Sequence, residues 1–136
     1  MEYNAQTIWQ IKNNVSPGLK LKFNNTSIEP FVIKKMTPIK EIKIPENVKI
    51  INKKAFYHCY SLKNFVIPEG VTTIGDNVFE RCGSLESINI PASVTELGKD
   101  SFRSCTKVKV TVASGTSITA SDLSKAGLSS SQYTFE

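Results

Sequence analysis

The chain has 136 residues, a length suited to one domain, and 40% of them are hydrophobic, which is enough for a packed core. No apolar run reaches the roughly eighteen residues of a membrane-spanning helix, and the N-terminus lacks the basic and apolar segments of a secretory signal. The net charge of +5 is uneven: residues 34–63 have eight lysines against two acids, and residues 64–100 have six acids against two basic residues. The basic half could steer an acidic partner, or could simply be a solvated lysine face.

The first segment, residues 1–18, is predicted to be a short N-terminal cap. Ile8, Ile11 and Val15 are spaced for one face of a helix, and Trp9 is predicted to cover the end of the core. A Ser-Pro-Gly sequence then breaks the helix.

From residue 42 onward the chain repeats a pattern with a period of 23 residues. The pattern is L-x-x-I-x-I-P-x-x-V-x-x-I-G-x-x-x-F-x-x-C-x-x-L. Each column that the pattern names by a letter other than x holds apolar residues or turn-forming residues. Regular copies cover residues 42–64, 65–87 and 88–109. Residues 19–41 are a degenerate copy in which Ile28 aligns with Ile51. A degenerate first copy is expected at the end of a repeat array, where the first repeat is exposed to water.

A unit of this length cannot bury an apolar face alone, so the copies are predicted to stack as turns of a solenoid. In each turn a segment such as residues 85–90 is predicted to form a strand that pairs in parallel with the next turn. The proline after it ends the strand, because proline has no N–H for the ladder. Asn52, Gly75 and Gly98 share a column, and glycine and asparagine there predict a corner with φ above zero.

The phenylalanine and cysteine columns are predicted to fill the interior of the coil. The three cysteines, Cys59, Cys82 and Cys105, have a spacing that matches no zinc pattern. Stacked in successive turns, their Cβ atoms would lie about 4.8 Å apart, whereas a disulfide needs about 3.8 Å. We therefore predict a column of reduced, buried thiols that act as small apolar residues.

The last segment, residues 110–136, is predicted to be a C-terminal cap. The period slips by one residue after Val108, and a strand is expected at residues 110–112. Thr119 and Asp122 have the spacing of a capping box at the start of a short helix, and a glycine further on predicts its end at Gly127. The alternation in the final five residues predicts a closing strand.

The repeat resembles the leucine-rich repeat of BspA-like surface antigens. The resemblance is close over residues 42–108, where more than eight columns agree in three consecutive copies. It implies an α/β-type repeat solenoid, a right-handed leucine-rich-repeat coil with short parallel β-strands and small caps at both ends. Several members of that family are cell-surface adhesins that bind host matrix proteins, so the resemblance also favours a secreted or cell-surface location.

The residue pattern contains no converging catalytic constellation. The one histidine, His58, is predicted to face outward because its column also holds Arg81 and Ser104, which disfavours a dyad with Cys59. The scattered acids are predicted to lie at the surface, among them Glu80, Glu86 and Glu96. We therefore predict no enzymatic activity, no cofactor and no metal site.

The residues that alternate with the inward columns are predicted to face outward on the sheet. This candidate partner-binding surface, here called the β-face, comprises Lys40, Glu41, Lys43, Lys63, Asn64, Val66, Glu86, Ser87, Asn89, Lys109 and Thr111. The leading hypothesis is a non-enzymatic module that binds a protein partner through the β-face, with an extracellular matrix or host protein as the partner that the resemblance favours.

Two alternatives remain open. The chain could be a structural spacer or cap of a larger assembly without a ligand of its own, which its short solenoid would suit. It could instead bind a polyanion through the basic residues 34–63, although no aromatic residues are interleaved with the lysines as specific nucleic-acid recognition would need. No membrane insertion is predicted, and the expected state is a monomer or a weak oligomer.

Overall fold

The computed structural model describes residues 27–28, 41–43, 46 and 48–136. The N-terminal cap predicted over residues 1–18, with its helical face and Trp9, lies outside the described residues. Most of the degenerate copy over residues 19–41 lies outside them as well.

The described part of the chain consists mainly of short strands joined by tight turns. The strands are β1 (Ser27–Ile28), β2 (Glu41–Lys43), β3 (Ile50–Ile51), β4 (Asn64–Val66), β5 (Thr73–Ile74), β6 (Ser87–Ile90), β7 (Glu96–Leu97), β8 (Lys109–Val112) and β9 (Tyr133–Phe135). Helical structure follows β8, as α1 (Ala120–Lys125) and a 3₁₀ turn at Ser130–Gln132.

The strands form two parallel sheets, so each regular turn of the coil contributes one strand to each sheet. One sheet has the order β2-β4-β6-β8-β9 and the other has the order β1-β3-β5-β7. Ile28 pairs with Ile51, which confirms the alignment of the degenerate copy. Ser87 pairs with Lys109, which confirms the predicted one-residue slip of the period.

The four-stranded sheet is a feature that the sequence pattern did not predict. Its strands have two residues each, at positions 50–51, 73–74 and 96–97 in the regular turns. A two-residue strand has no alternation of apolar and polar residues from which to recognise it. The predicted solenoid is confirmed, with two strands in each turn where one was expected.

The proline turn that follows β4 links neighbouring turns of the coil. The N–H of Val71 donates to the carbonyl of Pro68 at 3.2 Å, and Gly70 between them has φ 102°. The hydroxyl of Ser93, in the same column one turn later, accepts from the N–H of Gly70 at 3.0 Å and donates to the carbonyl of Val71 at 2.8 Å. One serine thus satisfies two backbone groups of the preceding turn.

The prediction that Asn52, Gly75 and Gly98 have φ above zero is wrong. Positive φ recurs instead at two other columns of the repeat, namely Lys54, Asn77 and Asp100, and His58, Arg81 and Ser104. The left-handed corners therefore lie at the two ends of the segment that forms the back of each turn. Most of these positions hold a residue other than asparagine, aspartate or glycine, so residue type alone could not locate them.

Gly75 and Gly98 are required for a different reason, which is the close approach of successive turns. A Cβ atom at Gly98 would lie 2.2 Å from the carbonyl carbon of Gly75, and one at Gly75 would lie 2.5 Å from the nitrogen of Lys53. A side chain in this column would therefore overlap the backbone of the preceding turn.

The core is a stack of like residues from successive turns, as predicted. Phe56, Phe79 and Phe102 are fully buried, and the centroids of adjacent rings lie 5.6 Å and 5.3 Å apart in stacked pairs. Phe65 extends from β4 and meets the rings of Phe56 and Phe79 edge to face, at 4.8 Å and 4.9 Å. These offset and edge-on contacts add to the stabilisation that burial of the rings provides.

The helix α1 has the predicted boundaries. Thr119 is the N-cap, and its side chain and that of Asp122 form the reciprocal hydrogen bonds of a capping box. The hydrogen bond from the N–H of Thr119, followed by that from its hydroxyl, lowers the pKa of the Asp122 carboxyl. Gly127 follows the helix with φ 97°, a conformation that favours glycine and ends the helix.

The C-terminal segment covers the back of the last turn. Along the back of the coil, backbone N–H groups donate to carbonyls of the next turn, as from Phe79 to Ser101 at 2.7 Å. In the last turn the N–H of Asp100 donates to the carbonyl of Lys125 at 2.9 Å. The N–H of Phe102 donates to the carbonyl of Ala126 at 2.8 Å. The C-terminal end of α1 thus supplies the acceptors that a further turn would have supplied.

Candidate interaction site

The described members of the β-face lie on β2, β4, β6 and β8, except Lys63 and Glu86, which directly precede β4 and β6. Exposed side chains among them are those of Lys63, Asn64, Val66, Glu86, Ser87, Asn89 and Lys109, and Thr111 is half-buried. Glu41 and Lys43 belong to β2, but their side chains are outside the described part of the chain, and Lys40 lies outside it altogether.

Register arranges the outward side chains of this sheet in two straight rows. One row contains Asn64, Ser87 and Lys109. The register of Asn64 with Ser87 places Val66 level with Asn89, two residues further along. The other row therefore contains Val66, Asn89, Thr111 and Thr134, with neighbouring strands about 4.8 Å apart. Val66 is 75% exposed, the largest exposed fraction among the large hydrophobic residues of the described part.

Thr134 is a member of this surface that sequence analysis missed. The alternation of residues 132–136 predicted a strand but did not show which strand it would join. In the structure β9 pairs in parallel with β8, so Thr134 extends the second row by one position.

The β-face has mixed charge in the described turns. The N–H of Glu86 donates to the carbonyl of Lys63, and the N–H of Lys109 donates to the carbonyl of Glu86, so an acidic residue has a lysine as its backbone neighbour on each adjacent turn. The ammonium group of Lys109 also donates to the carbonyl of Ser131 at 3.1 Å. The surface thus includes an acidic residue among its lysines and is not a uniformly basic patch.

The prediction that His58 is exposed is wrong, because two tyrosines cover its ring. His58 is 8% exposed, and its ring stacks on Tyr57 with centroids 3.9 Å apart. The hydroxyl of Tyr60 lies 2.8 Å from its Nδ1. Arg81 and Ser104, which share its column, are exposed as expected.

The prediction that Glu80 lies at the surface is also wrong, whereas Glu86 and Glu96 are exposed as predicted. Glu80 is 7% exposed, and its carboxylate accepts a hydrogen bond from the side-chain amide of Asn77, three residues earlier. This local partner is what makes burial of a carboxylate tolerable, since an unpaired one would be strongly disfavoured.

The three cysteines are buried thiols, as predicted. Burial raises the pKa of Cys105 from its ordinary value of 9.0 to about 12. The hydrogen bond with the side chain of Cys59, followed by burial, raises the pKa of Cys82 well above its ordinary value. Because the thiolate is the nucleophile, Cys82 and Cys105 are poorly suited to covalent catalysis.

The described ranges contain no cluster of metal-ligating side chains and no helix able to cross a membrane. No group of three or more His, Cys, Asp or Glu side chains is placed there to hold a metal ion. None of the helices in those ranges combines the length and the apolar composition that crossing a bilayer requires.

A family model for the BspA-type leucine-rich repeat region matches residues 11–134 of the chain, in six copies. The chain belongs to the BspA-type leucine-rich repeat family. The match extends beyond the three regular copies and the degenerate one recognised in the sequence, and it includes part of the predicted N-terminal cap and most of the predicted C-terminal cap.

Several solved structures share the fold of this BspA-type chain. A leucine-rich repeat protein from Bacteroides ovatus matches with a TM-score of 0.76 and 24% identity, over 86% of this chain and 30% of that one. A leucine-rich repeat protein from T. pallidum matches with a TM-score of 0.55 and 23% identity, over 71% of this chain and 58% of that one. A leucine-rich cell surface protein from Faecalibacterium prausnitzii matches with a TM-score of 0.53 and 25% identity, over 95% of this chain and 38% of that one.

The chain therefore spans less than two thirds of the length of each of these proteins. No curated protein matches it. The likeness to the first two structures concerns the fold alone, since both are less than 25% identical to the chain.

Proposed function

We propose that this BspA-type chain binds another protein through the β-face and acts by binding, without catalysis. Leucine-rich repeat proteins generally bind proteins. The observation that carries the proposal is the pair of straight rows of outward side chains, one from Asn64 to Lys109 and one from Val66 to Thr134.

The side chains in these rows suit a binding surface. Asn89, Ser87 and Thr134 are short polar residues that can donate and accept hydrogen bonds, and short side chains lose little rotamer entropy when a partner fixes them. Val66, 75% exposed in the same surface, supplies an apolar contact at one end of its row. The sheet beneath holds all of them at defined spacing, which reduces the ordering cost of association.

The extent of the surface predicts a modest affinity for a single copy. Five adjacent strands span only about 20 Å across the sheet. A typical stable interface uses about 800 Å² on each partner, which such a sheet barely provides. Display of several copies together would raise the avidity without any new contact.

We further propose that the partner is a cell-surface or matrix protein. The similar protein from Faecalibacterium prausnitzii is described as a cell surface protein, which supports this setting. The mixed charge of Lys63, Glu86 and Lys109 favours a protein surface over a polyanion, because the carboxylate of Glu86 would repel a polyanion.

The test is binding of the purified chain to a panel of immobilised matrix proteins and to heparin, at low and at high salt. The diagnostic variant is Val66→Glu, which places a charge at the apolar end of the proposed contact. Its matched control is Ile50→Glu, because Ile50 is an exposed aliphatic residue of the other sheet, 39% exposed. We expect salt-tolerant, saturable binding to one protein, weakened about tenfold or more by Val66→Glu and unchanged by Ile50→Glu.

Other outcomes would contradict the proposal. Binding to heparin alone that disappears at high salt would show a generic basic patch. No binding to any member of the panel would favour the structural spacer or cap. Equal losses in the two variants would place the contact elsewhere than on the β-face.

A further inference from the structure

The five-stranded sheet ends at β9, which forms an open edge. β9 pairs with β8 on one side, and among the described residues no strand pairs with it on the other. An unpaired strand of this kind accepts a strand of another chain, and natural proteins often prevent this with lysine or proline on the edge. β9 consists of Tyr133, Thr134 and Phe135, so it contains neither.

The backbone of β9 is oriented to accept another strand. In β8 the carbonyl of Val112 accepts from the N–H of Glu136 at 2.9 Å, so it points away from the preceding turns. Phe135 pairs with Val112, and its carbonyl therefore points in the same direction, which is the open side. Alternate residues of a parallel strand bond to opposite neighbours, so Tyr133 also directs its N–H and its carbonyl to the open side. Two residues thus present four backbone groups at this edge.

Two aromatic side chains accompany these backbone groups on the inner side of the sheet. Tyr133 and Phe135 continue the buried columns of Val110 and Val112 by register. Their rings meet edge to face with centroids 5.7 Å apart. Tyr133 packs against the core, but Phe135 is 50% exposed, so the apolar interior of the coil is incompletely covered at this edge.

The edge is complementary to itself in an antiparallel arrangement. When β9 of a second copy lies alongside with the two Thr134 residues opposite each other, Tyr133 of each copy is opposite Phe135 of the other. Opposed residues at such positions exchange both of their hydrogen bonds, so all four backbone groups of each copy are satisfied. The same pairing sets an aromatic ring of one copy beside a ring of the other, which is a favourable cross-strand contact.

Charge near the ends of β9 suits the same arrangement. The ammonium group of Lys109 reaches this edge, because it donates to the carbonyl of Ser131 at 3.1 Å. With the two Thr134 residues opposite each other, Glu136 of the second copy lies opposite Gln132, which follows Ser131 directly. Lys109 and Glu136 are both exposed. Each copy therefore brings a carboxylate towards the ammonium group of the other, which gives two ion pairs related by the twofold axis.

We propose that β9 pairs with β9 of a second copy, so that the chain forms a twofold-symmetric dimer with one continuous sheet. The same surface of both copies makes the contact, so the assembly closes as a dimer and does not grow into a filament. The joined sheet has ten strands and is about 40 Å across, and the outer rows that end at Thr134 meet end to end. The pairing does not depend on the function proposed for the β-face, although it doubles the extent of that surface.

The size of the contact predicts a weak dimer. Three residues of each copy form the strand pair, whereas a stable complex typically buries about 1,600 Å² in total. We expect a dissociation constant on the order of 10–100 µM.

The first test is sedimentation of the full chain over a range of about 5–500 µM, which brackets the expected dissociation constant. The variant is Thr134→Lys, which sets two like charges directly opposite each other across the axis. Its matched control is Ser87→Lys, the same change at an exposed outward residue of β6, which already has a strand on each side. We expect Thr134→Lys to weaken dimerisation about tenfold or more and Ser87→Lys to leave it unchanged. Thermal unfolding of each variant verifies that it is folded.

A second test reports the register of the pairing. Opposed residues at the Thr134 position form a non-hydrogen-bonded pair with Cα atoms about 4.5 Å apart, which is within disulfide range. The variant Thr134→Cys should therefore form a disulfide-linked dimer under mild oxidation, seen by electrophoresis without reductant. Ser87→Cys should stay monomeric there, and the native cysteines are buried and should not interfere.

A third test exchanges the charges of the proposed ion pairs. Glu136→Lys should weaken dimerisation, and the double variant Lys109→Glu with Glu136→Lys should restore it. Lys107→Glu, a charge reversal at an exposed lysine outside β8 and β9, is the control and should have no effect. The β-face variant Val66→Glu should also dimerise normally, so loss of partner binding and loss of dimerisation are separable.

The proposal is overturned if the chain remains a monomer up to about 500 µM. It is also overturned if the chain dimerises but Thr134→Lys dimerises equally well and Thr134→Cys forms no disulfide, since the contact would then lie elsewhere. A series of steadily larger species at rising concentration would contradict a closed dimer.

Discussion

The thiol of Cys105 donates a hydrogen bond to the backbone carbonyl of Phe79 in the preceding turn, with Sγ and O 2.9 Å apart. The same link joins Cys82 to Phe56 at 3.3 Å. Each of these carbonyls also accepts the N–H of the cysteine in its own turn, as from Cys82 to Phe79 at 3.1 Å. The cysteine column therefore connects adjacent turns through a buried polar contact in addition to filling space.

Removal of this thiol should destabilise the fold. We expect Cys105→Ala to lower the free energy of unfolding by about 1–2 kcal/mol, because it removes a buried hydrogen bond and leaves a small void. Urea unfolding followed by circular dichroism measures the change. Thr106→Ala, at the exposed neighbouring position, is the control. Equal stability of the two variants would show that the thiol contact contributes nothing.

The raised pKa of the Cys105 thiol predicts how the free energy of unfolding depends on pH in the alkaline range. Burial raises the pKa of Cys105 to about 12 from 9.0, so the folded state keeps its proton where the unfolded state loses it. The stabilisation is fully present below the unfolded pKa and is lost as pH rises from there towards the folded pKa. The wild type should therefore lose its advantage over Cys105→Ala between about pH 7 and about pH 10.5, measured by urea unfolding at both values. A constant difference would argue against a buried neutral thiol.

Substitution by alanine is expected to have opposite effects on stability at two glycines of the repeat. Gly98→Ala should lower the free energy of unfolding by about 2–4 kcal/mol, because the new Cβ would overlap the backbone of Gly75. Gly83→Ala should be neutral or stabilising by up to about 1 kcal/mol, since nothing lies within 4 Å of its Cβ position and alanine reduces the entropy of the unfolded chain. Thermal unfolding of both variants tests the pair. Similar melting temperatures would contradict the close approach of the turns.

Much of the candidate surface could be predicted from the repeat. Once the inward columns are aligned, alternation along a strand places Asn64, Val66 and Asn89 on the outer face, and all three are exposed. Thr134 could not be placed, because its position depends on a pairing between β8 and β9 that has no counterpart in the 23-residue period.

Burial of single polar residues was less predictable. His58 was predicted to be exposed because its column also holds Arg81 and Ser104, and Glu80 because it is one of the scattered acids. Tyr57 and Tyr60 cover the histidine ring, and Asn77 satisfies the glutamate. Such local coverage depends on side-chain packing, which a residue pattern does not encode.

The sequence by itself determined the solenoid, its parallel register and the residues that fill it, because a strict period places like residues above one another and stacking is the way such units bury their apolar columns. Thr119, Asp122 and Gly127 likewise revealed the helix of the cap through local hydrogen-bonding chemistry. The tertiary structure alone decided where φ is positive, why Gly75 and Gly98 are glycine, and how the end of α1 takes the place of a further turn. These features depend on the distance between neighbouring turns, which is set when the side chains and backbones of all turns pack together.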